Sequence, residues 1–134
     1  MSGDKLYSVL NEPEAMLYLS RSGINFKLFQ EIVSSTSFSL KEWSRFLHLT
    51  ERTLQRYKKE EKKFEPLQSE KIIEIARLYQ SGEDVFGTKI DFENWLNSKN
   101  IALGNILPLE LLDSSFGIDI LMDELGRIEH GILA

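Results

Sequence analysis

Near the C-terminal end of the chain, apolar residues recur at intervals of three and four positions. The spacing runs three, four, three and four through Ile118, Leu121, Leu125, Ile128 and Ile132. Because an α-helix has about 3.6 residues per turn, residues at this spacing lie along one face. The pattern predicts a long amphipathic helix that opens at Gly117 and breaks at Gly131, followed by an apolar tail.

Two shorter helices are predicted in the first forty residues. One covers residues 13–21 and ends at Gly23, and the next covers residues 26–33. The buried side of the first helix is expected to carry Met16, Leu17, Leu19 and Ser20. Residues 1–12 are expected to be irregular and loosely held, and residues 34–37 to form a loop or the fraying end of a helix.

The middle of the chain predicts two short helices joined by a tight turn. Ser39 can cap the first helix, and Glu42 three positions later completes a capping box. His48 stands at the turn, where a glycine is preferred, but His is among the side chains that tolerate a positive φ. Thr50 can then cap a second helix over residues 51–60.

The spacing within this pair is that of a helix-turn-helix. Ser44 is small enough to let the two helices approach, and Leu54 supplies the buried aliphatic side chain. The outward side of the second helix carries Arg52, Gln55, Arg56 and Lys59. Such side chains bind phosphates and base edges, which favours a DNA-binding motif. The alternative is a plain helical hairpin.

The remaining segments are also predicted to be helical. A long helix begins at Pro66 and ends at residues 81–82, and residues 85–87 form a short turn. Another helix covers residues 91–96, and Pro108 suits the first turn of a further short helix. The sequence therefore predicts an all-α fold, with an N-terminal helical unit that contains the helix-turn-helix and a compact C-terminal helical unit.

The composition is that of a soluble globular protein, with 42% hydrophobic and 28% charged residues among 134. There are no cysteines, which excludes disulfides and thiolate metal sites. The first residues lack the apolar core of a signal peptide, and no apolar run approaches the roughly 18 residues of a membrane span. We therefore expect a cytoplasmic protein with no membrane partner.

The net charge of −5 is unevenly distributed. Residues 41–63 contain eight basic and four acidic residues, so this segment carries +4 and the remainder carries −9. A basic segment in an acidic chain indicates a local anion-binding face. The alternative for residues 58–63 alone is a solvated helix end.

The motifs of known catalytic sites are missing. His48 and His130 are the two histidines, and neither lies at metal-ligand spacing from another ligand. The acidic residues of the last helix, including Glu124, are expected to form a solvated face, and the alternative is a carboxylate pair for acid–base chemistry. Asp123 is at the right spacing to pair with Arg127 across one turn. We expect neither an enzyme nor a metal or cofactor site.

The C-terminal region resembles the toxin-binding region of Xre/ParS-type antitoxins. The resemblance is carried by Trp95, Leu96, Asn100, residues 102–104, Pro108, Leu111, Leu112, Gly117 and residues 125–131. Asn105 departs from the family, which often has a second glycine there, but Asn tolerates the left-handed conformation. Residues 50–56 also resemble the recognition helix of that family, with Tyr57 where its members often carry a further Arg.

The resemblance implies the antitoxin of a type II toxin–antitoxin pair. The partner would be a RES-domain toxin, an enzyme that consumes NAD, whose substrate pocket the C-terminal region blocks. The implied toxin-binding residues are Trp95, Asn100, Leu103, Gly104, Pro108, Arg127, Glu129, His130, Gly131, Ile132, Leu133 and Ala134. The helix-turn-helix would bind operator DNA as a homodimer and repress the operon. The implied DNA-binding residues are Thr50, Glu51, Arg52, Thr53, Gln55, Arg56 and Lys59.

Four segments are expected on this basis. Residues 1–22 form a partly helical N-terminal region, residues 23–65 the helix-turn-helix unit, residues 66–87 a connecting helix and residues 88–134 the toxin-binding domain. Two other functions stay open. The C-terminal unit could serve only the dimerisation of a stand-alone transcriptional regulator, or the protein could be a structural adaptor that has lost DNA binding.

Overall fold

The computed structural model describes the backbone of residues 10–133 and the side chains of residues 10–131. Within that part of the chain there is no β-strand, which confirms the all-α prediction. The chain divides into two compact units, Met1–Arg77 and Leu78–Ala134. The division falls inside one long helix.

The N-terminal unit is built from short helices of eight to ten residues and the first part of a longer one. Their bounds are α1 Pro13–Ser22, α2 Phe26–Ser35, α3 Leu40–Leu47, α4 Glu51–Glu60 and α5 Pro66–Phe86. The predicted bounds of α3 and α4 are confirmed. Local capping interactions define both helices, which explains why the sequence was sufficient to place them.

Aromatic rings fill the core of the N-terminal unit. Phe29 and Trp43 are fully buried and meet edge to face with ring centroids 5.3 Å apart. Phe38 and Phe46 meet in the same way at 5.1 Å. Edge-to-face aromatic pairs contribute about 0.5–1.5 kcal/mol each beyond the burial of their surface. These contacts attach α3, the first helix of the predicted helix-turn-helix, to α2 and to the segment before α3.

A buried hydroxyl links the start of α5 to the turn before α2. The Ser69 side chain accepts a hydrogen bond from the backbone N–H of Ile24 at 2.9 Å and donates one to the carbonyl of Phe64 at 3.3 Å. The backbone N–H of Phe64 in turn donates to the carbonyl of Ile24 at 2.9 Å. Buried polar groups that lack partners are costly, so this closed set of bonds stabilises the turn.

Two predictions for the first residues were wrong in part. No residue of α1 is buried, and the Leu17 side chain is 50% exposed although it was expected on the buried side. Leu10 is fully buried although residues 1–12 were expected to be loosely held. The prediction for residues 1–9 lies outside the described residues. Helical periodicity identifies a face but not the element that covers it, which explains the error at Leu17.

The C-terminal unit consists of the end of α5 and a series of shorter elements before the last helix. They are α6 Lys89–Leu96, the 3₁₀ helices η1 Ile101–Leu103 and η2 Pro108–Asp113, and α7 Ser115–Leu133. Pro108 opens η2, as predicted. Leu112, Leu121 and Leu125 are buried and join η2 to α7 in the core of this unit.

The long helix α5 does not end at residues 81–82, as the sequence predicted, but continues to Phe86. Gly82 lies inside the helix and is buried against the ring of Phe92. The glycine therefore permits close packing and does not stop the helix. Gly87 ends it with a φ of 88°, and Thr88 caps α6 by accepting a hydrogen bond from the backbone N–H of Asp91 at 3.1 Å.

The bounds of α7 also differ from the prediction. The helix begins at Ser115, where the Ser114 hydroxyl accepts a hydrogen bond from the backbone N–H of Gly117 at 2.9 Å. Gly117 lies against the carbonyl of Leu111, so it is a contact point and not the helix start. The helix then continues through Gly131 to Leu133. An exposed glycine costs a helix only about 1 kcal/mol, which does not break it here.

A first prediction concerns Gly82. A Cβ at this position would overlap the ring of Phe92, which is packed between Tyr79, Phe86 and Trp95. We expect Gly82→Ala to lower the free energy of unfolding by about 1–3 kcal/mol, the usual cost of overpacking a core. Urea unfolding followed by circular dichroism measures this.

The matched control is Gly126→Ala, because Gly126 is also helical and a Cβ there meets nothing within 4 Å. That variant should gain about 0.4–1 kcal/mol, since alanine restricts the unfolded chain. A Gly82→Ala protein as stable as the Gly126→Ala protein would contradict the packing interpretation.

A second prediction concerns Glu83 in α5. Its Oε1 atom is buried without a hydrogen-bond partner among the described residues. Burial raises the pKa of this carboxyl group, helped by Asp84 and Glu93, while the cation of Lys89 acts in the opposite direction. When a glutamate has a higher pKa in the folded than in the unfolded protein, the free energy of unfolding falls as pH rises through the folded pKa.

We therefore expect Glu83→Gln to be more stable than the wild type at pH 7, with the difference vanishing below the ordinary pKa of a glutamate. Thermal unfolding of both proteins from pH 4 to pH 8 measures it. Glu110→Gln, which removes an exposed carboxylate on η2, is the matched control for the loss of one negative charge. A constant difference between wild type and Glu83→Gln across this range would refute the assignment.

Candidate functional site

The first helix of the helix-turn-helix is fixed at its start by a reciprocal pair of hydrogen bonds. The Ser39 hydroxyl accepts from the backbone N–H of Glu42 at 3.1 Å, and the Glu42 carboxylate accepts from the backbone N–H of Ser39 at 3.0 Å. This is the predicted capping box, and it is confirmed. Two of the amide groups that helix formation leaves without partners are thereby satisfied.

The turn between α3 and α4 has the geometry that the sequence predicted. His48 adopts the left-handed conformation with a φ of 55°, and the backbone N–H of Leu49 donates to the carbonyl of Ser44 at 3.0 Å. Thr50 then caps α4 by accepting a hydrogen bond from the backbone N–H of Thr53 at 3.0 Å. The direction of α4 is thus set within six residues of the end of α3.

The second helix, α4, has a buried and an exposed side. Leu54 and Tyr57 are buried, at 1% and 5% exposure, and hold the helix against the unit. The exposed side carries four of the predicted DNA-binding residues, Arg52, Gln55, Arg56 and Lys59. The structure therefore brings these side chains together on one solvent-facing surface, which we call the basic face.

The other predicted DNA-binding residues lie at the N-terminus of α4. Thr50 and Glu51 are exposed, and Thr53 is half-buried. The Thr50 hydroxyl donates to the Thr53 hydroxyl at 2.9 Å, so both are engaged in capping the helix. DNA binding by all seven residues stays a prediction.

In the C-terminal unit, Asn100 organises a tight turn that we call the apolar loop, residues Asn100–Ile106. Its side chain accepts a hydrogen bond from the backbone N–H of Ala102 at 2.9 Å and caps η1. Gly104 and Asn105 follow in the left-handed conformation, with φ of 85° and 63°. The prediction that Asn105 can replace a second glycine is confirmed.

Three of the predicted toxin-binding residues are at least partly enclosed by their own unit. The half-buried ring of Trp95 lies 6.1 Å from that of Phe92 and 5.7 Å from that of Phe86. Leu103 is half-buried and Pro108 is buried. These side chains support the surface more than they form it. Their role in binding a partner stays a prediction.

The last turns of α7 present most of the remaining predicted residues. Arg127, Glu129, His130 and Gly131 are exposed. The backbone of Ile132 and Leu133 continues the helix, while their side chains and the whole of Ala134 lie outside the described residues. The helix end is therefore a polar and glycine-containing surface up to Gly131.

The expected pairing of Asp123 with Arg127 was wrong. The Arg127 guanidinium donates to one carboxylate oxygen of Glu124, from Nε at 2.9 Å and from Nη2 at 2.6 Å. Glu124 is 7% exposed, so it does not belong to a solvated acidic face. A buried carboxylate needs a cation or hydrogen bonds, and Arg127 three residues later supplies both. Arg127 stays largely exposed in this pair, at 64%.

The sequence analysis missed a group of exposed apolar side chains in the C-terminal unit. They are Ile90, Ile101 and Phe116, with exposures of 68%, 88% and 77%. Ile101 belongs to residues 100–109, the longest run of the chain without a charged residue. This run is the sequence feature that could have identified the segment.

Within the described residues, no group of three or more acidic or histidine side chains is arranged to hold a metal ion. In the same part of the chain, no helix combines the length and apolar character needed to cross a membrane.

Two models of protein families match the chain. Residues 15–77 match the antitoxin Xre-like helix-turn-helix domain, and residues 81–131 match the C-terminal toxin-binding domain of the Xre/MbcA/ParS antitoxins. Two proteins named antitoxin Xre are also similar. One, from Photorhabdus laumondii, is 27% identical over 99% of this chain and 84% of its own length. The other, from Yersinia enterocolitica, is 27% identical over 85% of this chain and 78% of its own length.

Proposed function

The chain belongs to the Xre/MbcA/ParS antitoxin family of type II toxin–antitoxin systems, and we propose that it neutralises a RES-domain toxin and represses its own operon. The succession of a helix-turn-helix domain and a toxin-binding domain carries this proposal. The toxin would be an enzyme that consumes NAD. The antitoxin would act on it by binding, without catalysing a reaction itself.

The basic face supports operator binding. Arg52, Gln55, Arg56 and Lys59 project from the helix that enters the major groove in a helix-turn-helix. The N-terminal part of a recognition helix reaches the base edges, and Arg52 and Gln55 lie in that part of α4. Lys59 lies further along the helix, where we expect it to be nearer the phosphates. The overall charge of −5 does not oppose this arrangement, because residues 41–63 carry +4.

We propose that the protein binds its operator as a homodimer. One recognition helix reads a few base pairs, whereas two helices related by a two-fold axis read both halves of a palindrome and bind more tightly. We expect the operator to contain two half-sites about one helical turn apart. Analytical ultracentrifugation of the protein with and without this operator measures the stoichiometry.

A third prediction tests the basic face. We expect Arg52→Ala with Arg56→Ala to weaken operator binding and to lower the salt slope by about one unit for each lost phosphate contact. Gel-shift titrations at several salt concentrations measure both. Arg21→Ala is a control, because Arg21 is an exposed cation on α1 that lines a cavity between α1 and α5 to which no residue of α4 contributes. A double variant with unchanged affinity and salt slope would exclude this face as the operator-binding surface.

The end of α7 supports neutralisation. Leu121 and Leu125 anchor the helix in its own unit, while Glu129, His130 and Gly131 are displayed to solvent. An anchored helix with an exposed last turn can enter a concave site at little cost in chain entropy. We propose that this end meets the toxin near its substrate entrance, with Arg127 binding a carboxylate of the toxin.

A fourth prediction tests the helix end. A protein that ends at Glu129 loses the last turn of α7 but keeps the anchoring residues, so it should stay folded and bind operator DNA. It should fail to protect cells from the toxin encoded beside it. Growth and cellular NAD on co-expression measure protection, with the full-length protein as the reference. Full protection by the folded, truncated protein would place neutralisation elsewhere.

Gly131→Ala sharpens this test without shortening the chain. A Cβ at Gly131 meets nothing within 4 Å in the free protein, so the substitution leaves the fold undisturbed. If the toxin closes around the helix end, the added methyl group should weaken protection while stabilising the helix slightly.

A further inference from the structure

The apolar loop, residues 100–106, lies within the longest run of the chain without a charged residue. Residues 100–109 contain no charged side chain, although 28% of the residues in the chain are charged. Ile101, Ala102, Gly104 and Asn105 are nevertheless exposed. Burying an uncharged surface against a partner costs no desolvation of ions, and the centres of protein interfaces are accordingly depleted of charged residues.

Hydrogen bonds hold this loop in one conformation. The Asn100 carbonyl accepts from the backbone N–H groups of Leu103 at 3.1 Å and Asn105 at 2.8 Å, and the Asn100 N–H donates to the carbonyl of Ile106 at 2.9 Å. Gly104 closes η1 through a further bond to the carbonyl of Ile101 at 3.1 Å. A loop ordered in advance loses little conformational entropy when it binds.

Ile101 lies at the first position of η1 and has the highest exposure among the large apolar side chains of the described residues, at 88%. A single exposed aliphatic residue is common on protein surfaces. Ile101 differs because the segment of residues 100–109 that contains it has no charged side chain and because hydrogen bonds fix its backbone. The loop thus displays, from an ordered backbone, an apolar side chain that its own unit does not cover.

We propose that Ile101 is an apolar anchor of the toxin interface, separate from the end of α7, and that it inserts into an apolar depression on the toxin. We identify the binding partner as the toxin because residues 81–131 match a toxin-binding domain, and this loop lies near the middle of that segment of the sequence. The inference rests on the proposed function only in requiring a toxin partner. It does not depend on the toxin being an NAD-consuming enzyme.

The test compares two exposed aliphatic residues of the same chain. Ile101→Ala is made beside the control Leu67→Ala, because Leu67 is 81% exposed but lies in the N-terminal unit, outside the matched toxin-binding domain. Binding of each full-length protein to the toxin encoded beside it is measured by isothermal titration calorimetry. Thermal unfolding and operator binding are recorded for both variants.

Burial of most of an isoleucine side chain predicts that Ile101→Ala raises Kd by about tenfold or more. Leu67→Ala should leave Kd unchanged, and neither variant should alter the melting temperature or operator affinity. A Kd for Ile101→Ala within twofold of wild type would overturn the anchor while leaving the proposed function intact. Failure of the wild-type protein itself to bind that toxin would overturn both.

Discussion

Close approach at glycines sets the spacing of the packed elements within each unit. At Gly23 a Cβ would come within 2.6 Å of the Phe64 carbonyl oxygen. At Gly82 a Cβ would overlap the packed ring of Phe92, and at Gly117 it would overlap the backbone carbonyl of Leu111. Backbone atoms and enclosed rings cannot move aside, so larger residues at these positions would separate the elements. Because interiors are packed at the density of organic crystals, the aromatic and aliphatic cores depend on that spacing.

The cores in turn fix two surfaces of different chemistry. In the N-terminal unit, burial of Leu54 and Tyr57 directs the basic face of α4 to solvent, where cations favour a polyanion. In the C-terminal unit, burial of Leu121 and Leu125 leaves the end of α7 exposed, and hydrogen bonds of Asn100 order an uncharged loop. The two units therefore display surfaces of different chemistry, each held by ordered elements.

Several features were determined by the sequence alone. The bounds of α3 and α4, the capping box of Ser39 with Glu42 and the left-handed conformation of His48 were all predicted and are confirmed. These features depend on interactions between residues at most four apart, which periodicity and capping rules describe directly. The all-α fold follows from the same rules, and the exposed cations of α4 follow from its amphipathic pattern.

Other features were decided by tertiary structure. Gly82 and Gly131 were interpreted as helix ends, yet both lie inside helices. Gly82 allows close packing against Phe92, whereas Gly131 is exposed and costs the helix too little to end it. The burial of Glu124 and the exposure of Leu17 likewise depend on neighbouring elements that are distant in sequence. The exposure of Ile101 has the same origin. Local pattern fixes which face a side chain occupies, but only the packed fold determines whether another element covers that face.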